Sequence, residues 1–454
     1  MMRVREFLQK EQNFLNQIAI NTIRRFMSSQ RSANHNVTRV MSFGDGSHGA
    51  LGLPTSLTGV GTDAYEPTIV PGLPADVVGL AAGHYHSLAV TSSGQLWAWG
   101  RNHEAQLGRD VLAARDTWNE PMRVEGLNKV HVISAFASGV VSAAIADDGS
   151  LWVLGRSKRG QLGLGKGITE ALVPSKVEAL AGEKIAKVSF GWGHALALTD
   201  DGKLFGWGYS ADGRLGRIAG GVDVSALDSS SALVKDNQQV PRSTVEATER
   251  LVLEGMEKEN DMPIVWDPCL VEESQGTEVV DIACGLDHSL VLFRDGTLLS
   301  CGSNIYGQLG RANQEIGLFP VDVKFHPFSI ASGLGHSFAV CKTALSDSEG
   351  EATCIVSWGW NQRSQLGRVG PENIPSEVEG LDEEDPVSVC GGRVHSIAVT
   401  SKLEVWVWGC GKNGRLGLGS SVDEAEPVLL DSVEGYDVLQ AVSGFDHNLI
   451  LISQ

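Results

Sequence analysis

Histidines recurrently end the phrase Gly-x-x-His, as at Gly83–His86, Gly285–His288, Gly333–His336, Gly392–His395 and Gly444–His447. Imidazoles bind metals and move protons near neutral pH, so these are the first residues that could do chemistry. Each sits in the same slot of a different copy of one repeating phrase. Equivalent slots would form a wide ring and could not converge on one ion. The spacing therefore predicts a structural role, with a ring nitrogen bonded to a loop carbonyl where a strand begins. In the second copy, Gly139-Val-Val-Ser142 puts Ser142 where the histidine is expected. The seven cysteines (269, 284, 301, 341, 354, 390 and 410) contain no CxxC pair and are odd in number, which predicts free thiols rather than a disulfide frame or a zinc site. No Ser/His/Asp order or paired-acid motif stands out from the repeat. Glycine-rich stretches such as Gly100–Gly108 lack the lysine of a phosphate loop. The expectation is a protein with no catalytic residues, no cofactor and no metal.

Four arginines, Arg109, Arg217, Arg311 and Arg368, directly follow a Leu-Gly pair, where two other copies have Leu164 and Leu418. Equivalent slots would place these arginines at one end of the molecule, as a locally basic, partner-binding surface. The rest of the chain is acidic. The formal net charge is −19, with seven Lys/Arg and two Asp/Glu in residues 1–39, so the segment is +5 and the remainder −24. Phosphate backbones are bound by clustered cations that release counterions. Direct nucleic-acid binding is thus expected to be weak at most.

The elements that carry these residues are repeats. One phrase ends at Phe43-Gly44, Trp99-Gly100, Leu154-Gly155, Trp207-Gly208, Cys301-Gly302, Trp358-Gly359 and Trp408-Gly409, and a Leu-Gly follows each within six to eight residues. Seven copies at a period near 50 residues predict a propeller or solenoid. Within a copy, alternating runs such as His86–Thr91 and Gln95–Gly100 flank a Ser-Ser-Gly turn, the pattern of a β-hairpin. Seven of the eleven tryptophans (97, 99, 152, 207, 358, 406 and 408) fall in such strands and are expected in the core. The last copy stops one strand short, and that strand, residues 39–44, stands at the other end of the chain. Pairing the two ends closes a ring and removes an exposed sheet edge. The expected fold is all-β, a seven-bladed β-propeller over residues 39–454.

The unit resembles the repeat of the regulator of chromosome condensation family, in Trp99-Gly100-x-Asn102-x-x-x-Gln106-Leu107-Gly108 and in Gly-x-x-His-Ser. The resemblance implies the propeller, but it leaves function open among a guanine-nucleotide exchange factor, a plant ultraviolet-B photoreceptor and many adaptors. The photoreceptor's repeated Gly-Trp-Arg-His-Thr is approached only by Gly191-Trp192-Gly193-His194, without the arginine. Ultraviolet sensing is therefore not expected.

Residues 1–38 read as a mitochondrial targeting leader. Val4, Phe7, Leu8, Phe14, Leu15 and Ile18 share a helical face, Arg3, Arg5, Lys10, Arg24 and Arg25 supply charge, and Arg24-Arg25-Phe26 suggests cleavage near residue 26. The step from the fourth to the fifth copy holds an insertion at 218–263, expected to be flexible or helical, with nine Asp/Glu to four Lys/Arg. Within it Ser243-Thr-Val-Glu246 forms a capping box that opens a helical pattern toward Met256, a candidate docking arm. Shorter departures lie at Leu53–Tyr65 and Leu345–Thr353. No apolar run reaches membrane-spanning length. A leader joined to this repeat resembles the mitochondrial branch of the family. That implies a matrix scaffold for RNA processing, including intron splicing, or for ribosome function feeding respiratory-chain assembly. The alternative is an exchange factor for a mitochondrial GTPase. The expected partners are mitochondrial proteins of such complexes, or the GTPase.

Overall fold

Runs such as His86–Thr91, Val141–Ala146 and His395–Thr400 are buried at every residue. A strand can bury both its faces only between two other sheets, so these near-continuous apolar runs must lie between packed layers. Outer strands such as Thr117–Arg123 alternate between buried and exposed residues, as a half-covered edge should. The computed structural model describes residues 37–55, 61–109, 117–219, 263–312, 315–343 and 352–453. It shows seven four-stranded antiparallel sheets, the blades of a β-propeller.

Blades 1 to 6 begin with the innermost strands 77–82, 132–137, 185–190, 279–284, 326–332 and 386–391. Each of these strands touches the next, and strand 437–443 of blade 7 touches both the sixth and the first. Blade 7 draws on both ends of the chain: Asp437–Ser443 and His447–Ser453 are joined by Thr38–Gly44 and then Ala64–Ile69. Thr38–Gly44 pairs with His447–Ser453 without a break, from Thr38↔Ser453 to Gly44↔His447. Seven apolar clusters fill the spaces between adjacent blades. The one between blades 7 and 1 packs Val40, Leu449 and Leu451 against Val77, Leu80, Ala89 and Trp99. At about 25 cal/mol per Å² of apolar surface removed from water, these seven layers are the main stabilising term.

The Leu-Gly pairs mark where each blade meets the next. Gly163, Gly310 and Gly367 have positive φ, and a Cβ on any of them would lie within 3 Å of the indole of Trp207, Trp358 or Trp408 on the following blade. Those indoles donate from Nε1 to the carbonyls of Gln161, Gln308 and Gln365, each two residues ahead of its glycine.

Strand direction gives the ring two unlike ends. Connections from first to second and from third to fourth strand lie at one end, here the loop face. Hairpin turns and blade-to-blade links lie at the other, the turn face. Among the described residues, loop-face connections carry twelve Lys/Arg and nine Asp/Glu, whereas turn-face connections carry six and twenty-one. The acidity of the chain is thus concentrated at the turn face. Residues 1–36 of the leader and most of the insertion (220–262), with Ser243, Glu246 and Met256, lie outside the described residues, as do 56–60 and 344–351 in the shorter departures.

Candidate protein-interaction face

Beneath the loop face lies a buried layer that the histidines build. Nε2 of His86, His194, His288, His336 and His447 lies 2.8 to 3.3 Å from the hydroxyl of Ser142, Ser289, Ser337, Ser396 and Ser87 on the next blade around the ring. His395 uses Asn448 Oδ1 at 2.8 Å. Each serine hydroxyl in turn donates to a loop carbonyl; Ser337 Oγ, for example, bonds Gln308 O at 2.9 Å. A hydroxyl that donates there must accept from the imidazole, so Nε2 carries the proton. Burial holds His86, His288, His336 and His395 down to about 3, His447 to about 4, and His194 well below its ordinary value. These rings are neutral clamps between blades. The expected carbonyl contact is thus made one step removed, through a serine of the neighbouring blade.

Spacing had placed Ser142 in the histidine slot, and the structure corrects this by one residue. Val141 pairs with Gly155 as His86 pairs with Gly100, so Val141 holds the slot and Ser142 is the acceptor for His86. Three residues change together at this junction. A Cβ on Gly191, Gly285, Gly333 or Gly392 would lie about 2 Å from the imidazole three residues on. Only glycine fits beneath a histidine. Where Val141 replaces it, Ser138 replaces the glycine and Ala195 replaces the serine of the next blade, and Val141 and Ala195 share one apolar cluster. An unpaired serine hydroxyl buried here would have cost about 1–3 kcal/mol.

The four arginines after Leu-Gly do not form a basic surface. Arg311 and Arg368 are buried. Arg368 donates to the carbonyls of Ser357, Pro371 and Ile374, and Arg311 to Ser300 Oγ and Glu315 O. Arg109 bonds the carbonyls of Ala98 and Glu120 and lies 4.9 Å over Trp118. The ladder between third and outer strand shifts register between Ala98 and Gly100, freeing carbonyls that a guanidinium can satisfy. Arg217 alone of the four is exposed, and it pairs with Glu273 at 3.3 Å. Repeat arithmetic could place these residues at one end of the ring but could not tell inward from outward.

The side chains that do reach the loop face come from two other slots: the residue or two before each histidine slot, and the loops after each third strand. Over blades 6, 7 and 1, Asp446 binds Arg393 at 2.7 Å and Arg415 at 2.8 Å. Burial raises the Asp446 pKa against the pull of these two cations. Arg393 covers Phe445, which packs against His84 and Tyr85, and Tyr85 against His48. Burial lowers His84 to about 4. Over blades 2 to 5, Arg214 binds Asp287 at 2.5 Å and lies over Tyr209, while Tyr306 stacks on Trp360 at 5.3 Å. Arg159 lies 3.4 Å over Trp192, supplying from the preceding blade the arginine that the Gly-Trp-Gly-His phrase lacks. Trp192 remains 46% exposed, Tyr306 47% and Ile305 81%. Arg214 and Arg415 were legible in the sequence, since they replace glutamine just before Leu-Gly, and the next repeat answers each with an aspartate before its histidine.

No group of three or more His, Cys, Asp or Glu among the described residues is placed to hold a metal. All seven cysteines are free thiols, and burial pushes Cys284 up to about 11 and Cys301 to about 12. No described helix is long and apolar enough to cross a membrane. What this face offers is contact area: exposed aromatic rings beside guanidinium groups, the composition of binding hot spots.

The RCC1-like domain family matches residues 39–450. The chain is 28% identical to the human regulator of chromosome condensation, across 96% of this chain and 95% of that protein. It is 29% identical to the ultraviolet-B receptor UVR8 of Arabidopsis thaliana, across 87% and 79%. Among solved structures, Prp20p of Saccharomyces cerevisiae, described with its binding to Gsp1p and histones, matches with a TM-score of 0.70 at 21% identity, covering 92% of each chain. Human WBSCR16 matches with a TM-score of 0.70 at 20% identity, covering 92% of this chain and 99% of that one.

Proposed function

The chain belongs to the RCC1-like domain family, and from that premise we propose that it is a non-catalytic propeller that holds a protein partner on its loop face inside mitochondria. The observation that carries this reading is the sorting of side chains between the two ends. The loop face gathers Trp192, Tyr306, Trp360, Arg159 and Arg393, while acids dominate the turn face. The Arg-rich, amphipathic leader supports the mitochondrial location. In that compartment the protein acts as an adaptor for RNA processing, including intron splicing, or for ribosome function, and so serves respiratory-chain assembly. Its −24 body argues that partner proteins, rather than its own cations, hold the RNA. The test has two parts. Residues 1–26 fused to a fluorescent protein should enter mitochondria, and replacing Arg24 and Arg25 by glutamate should stop entry. Depletion should then leave organelle transcripts unprocessed or organelle translation reduced, and cytosolic fluorescence, or processing and translation both intact, would end this reading.

A second reading is favoured by family membership: the human regulator of chromosome condensation aligns along nearly its whole length, and the family includes exchange factors for small GTPases. An exchange factor wedges open a nucleotide site and needs no covalent-chemistry residue. Faster nucleotide release from a purified mitochondrial GTPase at catalytic amounts of this protein, with normal RNA processing on depletion, would put this reading first.

A further inference from the structure

The loop face is not uniform, and its blade-2 corner differs from the rest in charge. Of the seven loops that follow a third strand, only 157–169 contains no acid, and it holds Lys158, Arg159 and Lys166. Over blades 6, 7 and 1 three arginines are already answered, Arg393 and Arg415 by Asp446 and Arg101 by Glu104. Arg214 likewise spends its charge on Asp287 and Asp212. Arg159 makes no ion pair with a described carboxylate; its guanidinium lies over the rings of Trp192 and Tyr209, 3.4 and 5.7 Å from their centroids. Burial makes its positive charge costlier there and Arg214 adds to that cost, while Tyr209 and Asp287 offset part of it; an incoming anion would relieve the remainder.

Apolar surface runs on from this corner. The backbone N–H of Trp192 bonds Leu286 O, and that of Leu286 bonds Leu334 O, so the three loops form one continuous rim. Tyr306 and Trp360 flank the loop at Gly335, beside Leu334, and Ile305 projects next to Tyr306. An aliphatic side chain 81% exposed offers nothing to a nucleobase that an aromatic would not offer better. Together with the acidic body, that favours a protein over an RNA.

The geometry points to Arg159 and Trp192, with Lys166, as the seat for an acidic segment of the protein partner, its carboxylates meeting the cations and its apolar side chains lying along Trp192, Leu286 and Tyr306. This rests on the loop-face reading above and narrows it to one corner. Arg159 is pre-set by its stacking, so little rotamer entropy is lost when a carboxylate arrives.

The test uses the full chain and a short fluorescein-labelled peptide alternating glutamate and leucine, with an oligouridylate of equal charge as the competing probe. Arg159→Glu and Trp192→Ala should each weaken peptide binding by at least about tenfold. Arg159→Lys, which keeps the charge and loses the planar guanidinium, should fall between. Lys402→Glu on the turn face should change nothing, and melting midpoints should show each variant folded. Peptide affinity unmoved by Arg159→Glu and Trp192→Ala but lost in Tyr85→Ala would overturn this seat and keep the loop face. Affinity unmoved by every loop-face variant would remove both. Tighter binding of oligouridylate than of peptide, lost in the same variants, would show that the corner reads phosphate and would overturn the protein partner.

Discussion

The buried clamp layer and the loop face above it lie within a few residues of each other, yet they obey opposite rules. In the clamp layer six of seven junctions repeat the same contact, a neutral imidazole against a hydroxyl or amide oxygen of the next blade. The seventh replaces all three of its parts together, Ser138, Val141 and Ala195. On the face, the residue following the clamp glycine is His84, Trp192, Leu286, Leu334, Arg393 or Phe445 according to the blade. Burial explains the difference. Nδ1 of His86, His194, His288, His336 and His395 is buried without a partner among the described residues, but the donor Nε2 and the hydroxyl or amide oxygen that accepts from it are costly to leave unpaired between blades, so those parts change as a set. A side chain facing water has no such obligation and is free to be shaped by what it binds.

The comparison can be broken at the ring itself. Deleting Thr38–Gly44 strips blade 7 of a strand paired along its whole length and opens the ring, and the expected outcome is loss of the cooperative melting transition and aggregation. A melting midpoint equal to that of the intact chain would show that the ring does not depend on this strand.

Acid should act next most strongly, chiefly through the clamp layer, with His84 of the loop face as a further lowered imidazole. The six histidines have folded pKa values lowered from 6.5, to about 3 or 4 where a value is resolved, so the unfolded chain binds more protons below 6.5. Stability is therefore complete above about pH 6.5 and falls as pH drops toward the folded values. At pH 5 each histidine forfeits about 2 kcal/mol, and six together match the whole stability of a typical domain. Unfolding monitored by tryptophan fluorescence should set in between about pH 6 and pH 5. A flat melting temperature across that window would mean that the imidazoles are not neutral clamps.

One junction at a time gives smaller effects. His288→Ala leaves Ser337 without its donor and opens a cavity between blades 4 and 5, for an expected loss of about 2–4 kcal/mol by urea denaturation. The odd junction sharpens the point. Val141→His alone would press an imidazole against the Cβ of Ser138 and leave it without an acceptor at Ala195, costing about 1–3 kcal/mol. Adding Ser138→Gly and Ala195→Ser should return most of that loss. If the triple variant were no better than the single one, the three positions would not form a set.

The smallest stability change belongs to the face. Trp192→Ala should shift stability by less than about 1 kcal/mol, because its ring is half exposed and its main contact is Arg159. A loss as large as that of His288→Ala would erase the distinction between the two layers.

The sequence by itself determined whatever recurs. The strand alternation, the Leu-Gly turns and the seven-fold count are local patterns, and each copy reads the same without its neighbours. The phrases at Trp207-Gly208 and Trp358-Gly359 were therefore enough to place two indoles in the core. What only the tertiary structure decided lies between copies. Spacing could not show that Arg311 and Arg368 turn inward to free carbonyls of their own blade, or that Val141 rather than Ser142 holds the clamp slot. It could not show that Arg159 crosses from blade 2 to lie on Trp192 of blade 3. Each of these depends on which way a side chain leaves its loop and on what the adjacent blade presents to it. Those are distances across space between residues far apart in the chain, and a repeat read one copy at a time does not contain them.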